Sequence, residues 1–220
     1  MAMPNGRGDE NKIQILSQYG LHPVMHSVLL NGQSITCCCG LPVTDRFYQF
    51  DVVSPVSSRV VNTLYAGEQC AERFLSLSQT SGSSRITPLA LFDPLQVAPE
   101  TEHEASDAGL PKNSAPMLPI NVEVEQAIYL TMMCWGALPA PEDVFSVLLR
   151  KIRAHPGRPL MDCEVRTVNS KIGNDGHTLD AMLAKLREDD KSLRHYTFPE
   201  MASALRREAA RTGLRIHCYL

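Results

Sequence analysis

The strongest constraint on how this chain folds is a break in its apolar pattern. Residues 96–119 contain four prolines and four acidic residues, Glu100, Glu102, Glu104 and Asp107. Such a stretch buries too little apolar surface to offset the entropy of ordering it. It therefore predicts a flexible acidic linker over 96–120, with His103 as a solvated linker residue. The 220 residues then divide into a disordered polar tail (1–12), a cysteine-bearing α/β module (13–95) and a mostly helical domain (121–220). The fold class expected is α+β.

Charge narrows the function classes. The net charge is -3 and the pI about 6.2, so no global field draws the chain to nucleic acid or to an anionic membrane. The charge is uneven: residues 141–220 carry 14 Lys and Arg against 11 Asp and Glu, while residues 1–140 are net acidic. Any polyanion contact must come from a local patch in the C-terminal part. Residues 1–12 lack the apolar core of a secretory signal, and no apolar run is long enough to span a bilayer.

In the first module, residues 24–30, Asn31-Gly32 and 33–39 predict a β-hairpin, because Asn-Gly accepts the positive φ of a type I′ turn. Residues 47–53 and 59–65 predict strands. Residues 68–79 predict an amphipathic helix, with Ala71, Phe74, Leu75 and Ser78 at helical spacing. Residues 80–84 read as a polar loop and 86–95, with two prolines, as an extended arm.

Seven cysteines, three of them contiguous, with no secretion signal, argue for a reducing, cytoplasmic setting and for thiols or a metal instead of disulfides. The run Cys37-Cys38-Cys39-Gly40 resembles a zinc knuckle, and Cys70 lies at the predicted start of a helix. Knuckle, strand pair and helix follow in the order of a treble-clef finger, where a helix N-terminus and a tetrahedral Zn²⁺ both stabilise thiolates. Cys37, Cys39 and Cys70 are the expected zinc ligands. The fourth is open among His22, His26 and Asp45. The alternative is a module that keeps the fold and packs these thiols without metal. Cys134, Cys163 and Cys218 read as packed thiols.

The C-terminal part predicts helices over 123–135, 142–154 (Pro141 at its first position), 162–172 (capped by Asp162), 179–188 (capped by Thr178) and 198–211 (closed by Gly213). A short strand is expected at 214–219. Helices 163–172 and 179–188 suit a helix-turn-helix, which would present Lys185 and Arg187 to a groove, with Arg166, Lys171 and Lys191 beside them. Strands near 196–198 or 214–219 would make it a winged helix. A plain helical bundle fits the same pattern.

No nucleotide-binding, nucleophile-elbow, metalloprotease or zinc-deaminase motif occurs, so a non-enzymatic role is expected. A thiol enzyme using a cysteine of 37–39 with His22 or His26 is the catalytic alternative. A free-standing winged-helix regulator and a protein-interaction adaptor are the others.

With Cys39-Gly40, Ser57 or Ser58, and Cys70-Ala71 ahead of a helical half, the chain resembles the finger-bearing large subunit of type IV CRISPR effector complexes. That resemblance implies a non-catalytic subunit of a bacterial ribonucleoprotein complex in antiviral defence. It implies guide RNA, target duplex DNA and other protein subunits as partners. Arg46, Arg59, Arg150, Lys151 and Arg153 would then anchor phosphates without reading sequence.

Overall fold

The computed structural model describes residues 5–30, 32–80, 85–95, 116–138, 140–189 and 191–220. The chain is α+β and forms two compact units, Met1–Asp93 and Pro94–Leu220. Most of the expected linker, residues 96–115, and part of the loop at 80–84 lie outside the described residues.

The first unit runs α1 (Asp9–Gln18), β1 (Gly20–Val28), β2 (Ile35–Thr36), β3 (Pro42–Val43), β4 (Arg46–Val53), β5 (Val60–Gly67) and α2 (Glu68–Thr80). Strands β1, β4 and β5 form an antiparallel sheet with β4 in the centre. On one face Tyr48, Phe50 and Val52 of β4 meet Leu64 and Ala66 of β5. Ile15 and Leu16 of α1 and Ala71, Phe74 and Leu77 of α2 close over them. The strands at 47–53 and 59–65 and the helix at 68–79 form within one or two residues of expectation.

Two expectations for this unit fail. The hairpin between 24–30 and 33–39 does not form: β1 pairs with β4, and β2 pairs with β3 instead. Gly32 takes φ 81 and Gln33 N–H donates to the Leu30 carbonyl at 3.0 Å, while Asn31, the other turn residue expected, lies outside the described residues. Burial decides the pairing. β4 is buried along nearly its whole length and so rewards an eight-residue partner, whereas 33–39 supplies only a two-residue strand. The polar tail is also shorter than expected. Residues 9–18 are helical, with Lys12, Ile15 and Leu16 buried at helical spacing, and Arg73 of α2 holds Asp9 by two hydrogen bonds. The arm after residue 85 is extended as expected and bridges Phe92 to Ser27.

The second unit contains α3 (Pro119–Trp135), α4 (Val144–Ala154), α5 (Asp162–Ile172), a 3₁₀ turn (Gly173–Asp175), α6 (Leu179–Asp189) and α7 (Pro199–Thr212). Helix α3 is apolar on nearly all sides and packs against each of the other four helices, as a helix without a polar face must. Asn121 ties its start to the 156–160 loop by donating to the Pro156 and Arg158 carbonyls at 3.0 and 2.8 Å and accepting from Leu160 N–H. Thr178 caps α6 and Gly213 closes α7 in the left-handed region, as expected.

The other caps differ. Asp143, not a residue beside Pro141, caps α4 by accepting from Phe145 N–H at 2.9 Å. Asp162 is the first helical residue of α5 and pairs with Arg207; Met161 is the cap residue. Residues 214–219 form no strand. They are an extended tail held by Asn169, which donates to the His217 carbonyl and accepts from Tyr219 N–H, both at 2.8 Å. Among the described residues the second unit has no strand, so the β-elements of a winged helix are not formed. Nor do α5 and α6 behave as a recognition pair: α5 packs chiefly on α7, and α6 on α3. No helix among the described residues is long and apolar enough to cross a membrane.

Candidate metal centre

The thiols gather because of a tight turn between β2 and β3. Cys37 N–H donates to the Leu41 carbonyl and Gly40 N–H to the Cys37 carbonyl, both at 2.8 Å. Gly40 takes φ 86, a conformation that glycine enters without steric cost. Cys38 N–H donates to the Tyr65 carbonyl at 2.7 Å, which ties the turn to β5. That strand ends at Gly67, where a Cβ would lie 3.0 Å from Val43 Cγ2, and α2 starts at once. Cys70 therefore sits in the first turn of α2, facing the knuckle. The order of knuckle, hairpin and helix is treble-clef-like, as expected.

The Sγ atoms of Cys37, Cys38 and Cys70 all lie within 4.8 Å of one another. Cys37 and Cys38 are 3.9 Å apart, and Cys39 lines the same cleft as Cys37 and Cys70. A tetrahedral ion with metal–sulfur bonds of about 2.3 Å sets its sulfurs about 3.8 Å apart. The four thiols are thus a cluster compatible with a metal site. Among the described residues no other group of three or more His, Cys, Asp or Glu side chains meets the same test.

Electrostatics favour the same reading. Hydrogen bonding from the Cys38 thiol, aided by the N–H groups of Cys39 and Gly67, draws the Cys37 thiol down to about 4; Gly67 N lies 3.4 Å from its sulfur. The negative charge so placed pushes Cys38 up, and burial together with Cys37 raises Cys70 to about 11. Without a cation the cluster holds one negative charge and resists a second. A divalent ion removes that resistance.

Cys37, Cys39 and Cys70 line a surface cleft of about 320 Å³, together with Asp45, Arg46 and Glu68. Cys38 does not line it. The expected ligands Cys37, Cys39 and Cys70 line one cleft, and Cys38, which the sequence offers only through the alternative of an adjacent cysteine pair, joins Cys37 and Cys70. The three candidates for the fourth position do not. His26 stacks on Tyr48 with ring centroids 3.9 Å apart and binds the Leu89 carbonyl through Nδ1. His22 is exposed on β1, across from Asp51. Asp45 stays at the cleft wall. Cys38 and Lys12 are the residues that sequence reasoning missed. The run of three cysteines hid the first, and a polar tail hid the helical spacing of the second.

Residues 4–212 match the family described as uncharacterised conserved protein UCP028583. The chain belongs to this family. No curated protein and no solved structure matches it.

The expected phosphate contacts are scattered through this chain. Lys151 pairs with Glu164, Lys171 with Asp143, and Arg166 with Glu208 at 3.6 Å. Arg153 is mostly buried between Glu125 and the Tyr129 hydroxyl, and burial lowers its pKa to about 10. Arg150 and Arg187 donate to the Pro141 and Arg194 carbonyls. Arg46 faces Glu68 at 3.6 Å beside the thiol cleft. Arg59, at the turn before β5, and Lys185, on α6, are exposed.

Proposed function

We propose that this chain is a non-catalytic binding subunit whose first unit is clamped by a zinc ion. Cys37, Cys38 and Cys70 would hold the metal, with Cys39 as the remaining thiol donor. One observation supports the reading: thiols from a knuckle turn and from a helix N-terminus converge within 4.8 Å of one another. Zinc there has a structural task. It joins the β2–β3 ribbon, which has only two-residue strands of its own, to the start of α2.

A thiol enzyme is the competing reading, because Cys37 has a depressed pKa and lines a cleft. Such an enzyme needs a base beside the thiol. His26 is engaged with Leu89 and Tyr48, and the groups that depress Cys37 are other thiols and N–H donors, which suits metal binding better.

Cobalt(II) titration tests the proposal. The full chain should give thiolate charge-transfer and tetrahedral d–d bands that saturate at one ion per chain. Cys70→Ser should weaken both. An absent spectrum, together with rapid alkylation of Cys37, would instead support the thiol enzyme.

Nucleic acid is the proposed partner, as guide RNA or duplex DNA in the type IV CRISPR manner. The treble-clef order and the exposed cations Arg59 and Lys185 support it; the acidic composition sets no general attraction. Gentle purification from the native host should recover a defined small RNA with other subunits. A bare protein would contradict this part and leave the metal reading standing.

A further inference from the structure

Residues 5–12 cover the side of the thiol cluster where Cys38 lies. Gly6 N–H donates to the Cys38 carbonyl at 2.9 Å, and a Cβ on Gly6 would sit 2.8 Å from Cys38 Sγ. Only glycine lets this segment lie so close to the sulfur. The Gly6 carbonyl then accepts from Lys12 Nζ at 2.7 Å.

Lys12 is 5% exposed, an unusual state for a lysine. Its ammonium lies 5.7 Å from the centroid of the Phe74 ring, and among the described residues no carboxylate comes within 4.0 Å of it. Its field also reaches Asp9, which is itself tied to Arg73, and an ammonium buried in this way is costly. Through the Gly6 carbonyl that it binds, the ammonium stands on the Cys38 side of the thiol cluster. A zinc ion with three or four thiolates carries net negative charge, which a buried ammonium on that side of the cluster would balance.

We infer that Lys12 is the outer-sphere cation of the thiol centre, balancing the charge of the metal-bound thiolates and so setting metal affinity, with Gly6 as the spacer that seats Cys38. This rests on the zinc reading and adds a positioning role for the N-terminal segment. It also couples metal binding to the docking of α1, because the ammonium is anchored by the helix that Asp9 and Arg73 tie to α2.

Zinc affinity of the full chain, measured by competition with a chromophoric chelator, tests it. Lys12→Met and Lys12→Gln should bind zinc about tenfold or more weakly, the usual effect of removing an outer-sphere partner. Lys12→Arg, which keeps the charge, should stay close to the unsubstituted chain. The cobalt charge-transfer band should keep its intensity in Lys12→Gln, because the donor set is unchanged, and lose intensity in Gly6→Ala, which displaces Cys38. Should Lys12→Met fail to fold, Lys12→Gln against Lys12→Arg decides: a weak Gln variant beside a tight Arg variant supports the role, and equal affinities overturn it. A chain that takes up no zinc at all would overturn the zinc reading itself. Tight zinc binding that is indifferent to Lys12 overturns only this inference.

Discussion

Adjacent thiols with opposite proton affinities are what a metal-ready cluster looks like before the metal arrives. Hydrogen bonding draws the Cys37 thiol down to about 4, while Cys37 and burial push Cys38 up and burial with Cys37 raises Cys70 to about 11. Zinc must displace the protons of the latter two, so its affinity rises with pH across neutrality and falls in acid. Calorimetric titration in buffers of different ionisation heat should show proton release in Cys37→Ser no smaller than in the unsubstituted chain. Release in Cys70→Ser should be smaller. Heats independent of the buffer would contradict this. The residue scale also marks where the sequence was silent. Cys37, Cys39 and Cys70 were legible as ligands from type and position. Cys38 was not, because adjacent cysteines in a strand would point to opposite faces, and only the tight turn through Gly40 brings both sulfurs to one side. Lys12 was not, because a buried lysine is defined by what covers it.

Elements follow local signals where a single helix or strand settles the matter, and fail where partners compete. Residues 68–79 carried their helix in their own periodicity, and Thr178 and Gly213 act as written. The 24–39 hairpin had a good turn, yet β1 buries more by pairing with β4. The tail at 214–219 reads as a strand by composition but finds no sheet edge in its unit; the Asn169 side chain supplies the hydrogen bonds that a neighbouring strand would have given. Asn169→Ala should therefore loosen the tail, which keeps the bond from Leu179 N–H to the Tyr219 carbonyl, and cost about 0.5–1.5 kcal/mol per hydrogen bond lost. Faster hydrogen exchange at Tyr219 would show it, and unchanged exchange would contradict it. Asp143→Ala removes both the cap of α4 and the partner of Lys171, and should cost about 1 kcal/mol or somewhat more in thermal unfolding.

For the whole molecule the two units differ in what holds them. The second unit is organised around α3, whose buried side chains span Val124 to Met133, and among its described residues there is no thiol cluster. The first unit has a smaller core and brings thiols of its knuckle and of α2 together, where the proposed zinc would tie them. A chelator should thus destabilise Met1–Asp93 and leave Pro94–Leu220 unaffected, which hydrogen exchange with and without chelator will resolve unit by unit. Equal loss of protection in both units would contradict it. A boundary near residue 95 was legible from the acidic, proline-rich stretch that follows it, and the units divide at Asp93 and Pro94. The distribution of cations was not: Lys151, Arg153, Arg166 and Lys171 look free along the chain, and tertiary packing matches each with a carboxylate.

The most direct test of the metal-clamped account is native mass spectrometry of the full chain purified without added chelator. One zinc per chain, lost in Cys70→Ser, is the result the account predicts. A chain whose mass matches the metal-free sequence, and which stays so after incubation with zinc, would contradict it.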